Sequence, residues 1–228
     1  MIFGIALLRH WLQKKDAVYL AWWTAGVFLY GVGTVTESLI TLFGWSEPVF
    51  RVWYISGALL GGAPLAQGTV YLILSKKIAN RLSFILLSFV LIAAVCVVLT
   101  PINYSQVEQF RPTGKVMQWT WVRAFSPFIN TYSLTFLAGG AAWSAWKYKR
   151  QGGSRSRYIG NVLIAVGALL PGIGGSFTRF GLTEVLYVTE FLGLILIFFG
   201  YRTMRFTGGE SIYNNQRSMV KTDDVARG

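Results

Sequence analysis

Two carboxylates of this chain, Glu37 and Glu190, stand inside long apolar runs. A charged side chain at a bilayer's centre costs about 2.5 to 3.5 kcal/mol on insertion scales, so each is expected to face a protein interior, find a partner or keep its proton. Helical spacing gives both polar company. Tyr30, Gly33, Thr34, Glu37 and Thr41 share one face of their run, and Thr183, Tyr187 and Glu190 one face of theirs. Arg51, Arg123 and Arg179, near the ends of runs, are the candidate counter-charges. The candidate ligand-binding set is therefore Glu37, Glu190, Tyr187, Arg179, Tyr30 and Asn130, expected as a polar pocket open to the outside. The same two carboxylates could instead hydrogen-bond neighbouring helices and fix the packing, and Glu37 is close enough to an end to snorkel. Glu184, at the start of its run, reads as a first-turn charge complementing a helix dipole.

Other chemistries lack their residues. All eight lysines fall in loops or in the C-terminal segment, so no intramembrane amine exists for a retinal Schiff base. His10 is the single histidine, which leaves no histidine cluster for zinc or copper and no ligand pair for haem. Cys96 is the single cysteine and lies in an apolar run, so no disulfide closes within the chain. No metal site and no cofactor are expected.

These residues must be positioned by membrane helices. Of 228 residues 54% are apolar and only 13% charged, about half the charged share of a soluble domain, and the apolar residues gather into runs of about twenty, the length that crosses a bilayer. The fold expected is all-α and polytopic, with seven transmembrane helices. The first, Met1–Leu8, is short, either truly so or cut by a start site placed too late. Its charges follow the apolar part, unlike a signal peptide. The others are Val18–Phe43, Val52–Leu74, Leu82–Thr100, Ala124–Trp146, Tyr158–Phe177 and Leu182–Gly200. Residues 1–206 would form this domain and 207–228, polar and mixed in charge, a disordered cytoplasmic tail.

The net charge of +12 is not spread evenly. Of the 21 Lys and Arg, 16 fall on one side of the expected spans and 5 on the other, which puts the N-terminus outside and the C-terminus in the cytoplasm. That placement, with basic residues as punctuation between apolar runs, argues for a plasma (inner) membrane location and against nucleic acid as a partner. The partners expected are the lipid bilayer and a partner membrane subunit or cytoplasmic protein, which could dock, as anionic lipid could, on Lys147, Lys149, Arg150, Arg155 and Arg157.

Prolines and glycines add three expectations. Pro64, Pro171 and Gly172 are candidate hinges, because each proline removes a backbone donor within a run and should kink its helix; Leu170–Gly175 is glycine-rich enough to break its helix, as at transporter binding sites, although a plain proline kink is the commoner outcome. Tyr54, Gly57, Gly61, Pro64, Gly68 and Tyr71 make one narrow groove, the pattern that lets helices approach closely. Finally, Tyr30-Gly31-Val32-Gly33 resembles Pro171-Gly172-Ile173-Gly174, and Val52–Ser56 resembles Val185–Thr189, in the same order. This suggests a parallel repeat of three helices, one connecting helix and three helices. The function expected is that of a non-enzymatic, sensor-like or accessory membrane protein binding a small ligand, proton or lipid. The alternatives are a small transporter coupled through a midplane carboxylate, and a lipid-modifying enzyme, which would need Glu37 and Glu190 to converge as acid and base.

Overall fold

The computed structural model describes residues 2–152, 154–177 and 185–205. It is all-helical, and among the described residues the only strand-like pairings are isolated bridges, Ile102 with Met117 and Glu108 with Arg111. Five helices are long and apolar enough to cross a membrane: Val18–Phe43, Glu47–Ile73, Lys76–Leu99, Arg155–Gly174 and Val185–Arg205. This is a membrane protein by the length and composition of its helices. Two further expected spans fall short for different reasons. Helix α1, Ile2–Gln13, has 12 residues, where a span needs about 20. The Ala124–Trp146 run is helical as α6 (Phe125–Ser133), a π-helical turn (Leu134–Gly139) and α7 (Gly140–Arg150), but Asn130, Thr131, Tyr132, Ser133 and Thr135 dilute its apolar character.

Helix α2 covers Val18–Phe43, as the apolar run predicts. The next run is not one helix. It divides into α3 (Glu47–Trp53), a π-helical turn (Tyr54–Leu59), an irregular step at Leu60–Gly62 and α4 (Ala63–Ile73). Pro64 sits in the first turn of α4, where an amide hydrogen would have no intrahelical acceptor, so the ring starts the helix without loss. The bend expected at Pro64 is thus a break just before it. Pro171 behaves differently: α8, Arg155–Phe177, runs on through it, so Leu170–Gly175 does not break the helix. Helix α5 begins at Lys76 rather than Leu82 and ends at Leu99; α9 is described over Val185–Arg205. The segment 207–228 lies outside the described residues.

The chain divides into two units, Met1–Leu137 and Ala138–Gly228. In the first, α2 packs on the Glu47–Ile73 segment through glycines. A Cβ at Gly33 would stand 2.9 Å from the Gly57 Cα, one at Gly26 3.0 Å from the Leu65 nitrogen, and one at Gly68 2.9 Å from the Tyr19 carbonyl oxygen, beside the Trp23 indole. The groove of small residues is therefore a packing surface, where absent side chains bring backbones together. The Trp23 indole then donates to the Leu65 carbonyl at 3.0 Å.

One end of this unit is packed with apolar side chains. Residues 101–123 fold back so that Ile102, Val116, Met117 and Val122 join one apolar cluster with Ile40, Phe50, Tyr54, Val97 and Ile129. Backbone bonds hold the loop in that pose: Asn103 donates to the Val116 carbonyl at 2.7 Å and Gln118 to the Pro101 carbonyl at 3.0 Å.

In the second unit, α8 and α9 form another glycine contact. Gly160, Gly167 and Gly174 recur every seventh residue, as do Gly193 and Gly200, and seven residues are almost two turns, so each set keeps one face. A Cβ at Gly167 would stand 2.6 Å from the Gly193 oxygen and 3.0 Å from the Ile197 side chain; one at Gly200, 2.6 Å from the Gly160 oxygen and 2.8 Å from Ile164. At Gly174 it would meet the Leu186 Cα at 2.9 Å and the Thr189 hydroxyl.

Candidate functional site

Glu37 and Tyr30 lie half-buried on α2, two turns apart, and Glu190 half-buried on α9 with Tyr187 exposed one turn before it. None of the four is without a partner. Around Glu37 the hydroxyls turn back onto their own helix: Thr34 donates to the Tyr30 carbonyl at 3.1 Å and Thr41 to the Glu37 carbonyl at 3.0 Å. The buried face of α2 here is Gly33, Thr36 and Ile40, and Glu37 stands half-buried beside it. Tyr30, Glu37 and Asn130 belong to the first unit, Tyr187 and Glu190 to the second. Arg179, with Thr183 and Glu184, lies outside the described residues.

Asn130 is tied to Ser126 on its own helix. It donates to Ser126 Oγ at 3.1 Å, and Ser126 donates at 3.0 Å to the Ala58 carbonyl in the π-helical turn. An i→i+5 turn followed by an irregular step leaves carbonyls without helical partners, and the Ser126 hydroxyl, itself held by the Asn130 amide, supplies one.

Arg51 is committed elsewhere than to Glu37 or Glu190. Its Nε and Nη2 donate to one oxygen of Glu47, one turn before it, at 3.0 and 2.6 Å; Nη2 donates also to the Thr100 carbonyl at 3.0 Å, and Nη1 to the Val97 carbonyl. A guanidinium on the last carbonyls of α5 answers both their unsatisfied acceptors and the negative end of the helix dipole. The other Glu47 oxygen accepts from the Tyr104 hydroxyl at 2.6 Å, and this bond holds the Tyr104 phenol above its ordinary pKa. Thr100 also accepts the Trp119 backbone N–H at 3.1 Å. One arginine with two partners thus clasps α3, α5 and the folded loop. Beside Tyr104 the buried Trp45 Nε1 has no hydrogen-bond partner among the described residues.

A second polar assembly in the first unit involves none of the charged residues. Gln67 on α4 is 0% exposed. Its amide nitrogen donates to Ser83 Oγ at 2.7 Å and to the Ala79 carbonyl at 3.1 Å, both on α5, and its oxygen accepts from the Tyr132 hydroxyl on α6. Ser83 donates on to the Tyr71 hydroxyl at 3.0 Å, and Tyr71 to Asn80 Oδ1 at 2.7 Å. The chain does not relay protons through Gln67, because an amide cannot exchange its donor and acceptor ends without leaving its stable tautomer. It fixes the register of three helices, with every bond directed. A sequence signal existed: Gln67 is the only glutamine inside the long apolar runs.

Among the described residues no three His, Cys, Asp or Glu gather to hold a metal ion. No protein-family model, curated protein or solved structure matches this chain.

Proposed function

We propose that the chain is a seven-helix protein of the plasma (inner) membrane, N-terminus outside and C-terminus cytoplasmic, that binds a small ligand, proton or lipid without catalysis and passes the signal to a partner subunit or cytoplasmic protein. The observation that carries this reading is the pair of engaged, half-buried carboxylates within membrane-length helices, Glu37 on α2 and Glu190 on α9. Carboxylates cost too much there to persist as ornament, and the ligand set proposed around them is Tyr30, Tyr187, Arg179 and Asn130. Arg179 and Arg123 remain the counter-charges in this reading, since Arg51 is held by Glu47. The test is thermal stability of purified protein across pH and candidate ligands, with wild type against Glu190→Gln. A ligand- or pH-dependent shift present only in wild type is expected; identical profiles would remove the site.

A second reading, a small transporter, is favoured by the register of the two glycine contacts. Aligning Tyr30 with Pro171 pairs Gly33 with Gly174, Gly26 with Gly167, Trp23 with Ile164 and Tyr19 with Gly160. Aligning Val52 with Val185 pairs Ser56 with Thr189. The contacts follow these pairs. Gly33 meets Ser56 and Gly57 where Gly174 meets Thr189. Gly26 meets Leu65 where Gly167 meets Ile197, and Gly68 meets Trp23 and Tyr19 where Gly200 meets Ile164 and Gly160. The last two pairings need one extra residue in the first repeat after Ser56. The π-helical turn at Tyr54–Leu59 is the device that absorbs a single extra residue in a helix. Parallel repeats of this kind frame alternating access in transporters, with Pro64, Pro171 and Gly172 as the proposed hinge residues. Uptake by proteoliposomes under a pH gradient tests it: gradient-driven uptake lost in Glu190→Gln supports the reading, and absence of uptake for every solute class tried removes it.

A further inference from the structure

On α7 one face is exposed and of one chemical kind. At 100° per residue Trp146, Arg150, Trp143 and Lys147 fall within about a quarter turn of one another, and all four are exposed, while Gly140, Ala141 and Ala145 are buried. The two indoles lie against each other, centroids 5.0 Å apart. The Arg150 guanidinium stacks over the Trp146 ring at 4.7 Å. Stacking fixes the guanidinium by its face and leaves its in-plane N–H groups pointing outward, the fork that takes a phosphate bidentately. From Trp143 to Arg150 the helix rises about 10 Å, the depth from the upper acyl chain through glycerol to phosphate. No Asp or Glu occurs between Glu108 and Glu184, so nothing on this stretch of sequence opposes an anion.

We infer that this face holds an anionic phospholipid of the inner leaflet, the indoles against its glycerol and upper chains and Arg150 with Lys147 on its phosphate. Paired exposed indoles below the cations select a lipid over a soluble acidic partner, because indoles favour the membrane interface. The inference rests on the proposed orientation, in which α7 ends at the cytoplasmic surface.

The test reconstitutes the full chain in nanodiscs of phosphatidylcholine with a minor share of phosphatidylglycerol and reads retained lipid by native mass spectrometry. Wild type is expected to retain phosphatidylglycerol selectively. Lys147→Gln with Arg150→Gln should weaken retention about thirtyfold, from two surface cations, and Arg150→Lys, which keeps charge but loses the fork, should weaken it less. Lys76→Gln with Lys77→Gln, at a different basic helix end, should leave it unchanged. Equal retention by wild type and the Lys147/Arg150 variant would overturn the site, as would displacement of the lipid by inorganic phosphate. Gln151→Cys in a Cys96→Ser background, labelled from each side of sealed vesicles, reports orientation separately. Labelling from outside would overturn the inner-leaflet assignment and the orientation while leaving the nanodisc result to stand on its own.

Discussion

Replacing Gln67 with leucine should destabilise the protein by about 2 kcal/mol. The side chain makes three bonds between helices, to Ser83 and Ala79 on α5 and from Tyr132 on α6, and interhelical bonds in membranes average about 0.6 kcal/mol each. Leucine matches glutamine closely in size, so little cavity term adds to the loss. Ser83 keeps Tyr71 as its partner, while the Tyr132 hydroxyl loses the acceptor it has. An equilibrium titration with denaturing detergent, in mixed micelles, should show the folded-to-unfolded ratio falling about thirtyfold. The double-mutant cycle with Tyr132→Phe isolates one bond and should give a coupling of about 0.6 to 1.7 kcal/mol. A Gln67→Leu variant as stable as wild type, with zero coupling to Tyr132, would refute the claim that this chain of bonds holds α4, α5 and α6 in register.

Gly167→Ala places a methyl group 2.6 Å from the Gly193 oxygen and should cost about 1 to 3 kcal/mol by overpacking; Gly172→Ala meets nothing within 4 Å and should leave stability within about 0.5 kcal/mol in the same titration. Arg51→Gln removes the guanidinium from Glu47 and from the end of α5, and should cost about 1 to 3 kcal/mol and speed proteolysis of residues 101–123, read by limited digestion; unchanged cleavage would count against the clasp. Because the Tyr104 phenol is held above its ordinary value of 10.0 by Glu47, folding favours its protonated form. The stabilisation is complete below the ordinary phenol range and is lost as pH rises through the raised value. Difference absorbance of phenolate, wild type against Tyr104→Phe, should place this tyrosine later than a free one.

Apolar length and helix type were legible in the residues, because a bilayer demands about twenty apolar positions and tolerates few exceptions. Val18–Phe43 is found as the run predicts, and the start of α8 at Arg155 lies close to the expected Tyr158. What escaped was whatever depends on partners distant in sequence. The break at Leu60–Gly62 was marked by Pro64, but its position before the proline follows from the π-helical turn, which no local propensity encodes. Arg51 was legible as a cation near a helix end, yet its partners on α5 lie more than forty residues away. Gln67 carries no charge and so drew no penalty large enough to single it out, although it anchors a polar assembly that joins three helices. The seven-residue glycine period of α8 and α9 was present in the sequence; it becomes meaningful only once the two helices are seen to face each other through it.

Native mass spectrometry of the protein released from its own membranes tests the proposed function most directly. Wild type should carry a bound small molecule or lipid that Glu190→Gln, equally folded and equally extracted, does not retain. Identical bound masses in the two proteins, or none in either, would contradict a ligand site built on that carboxylate.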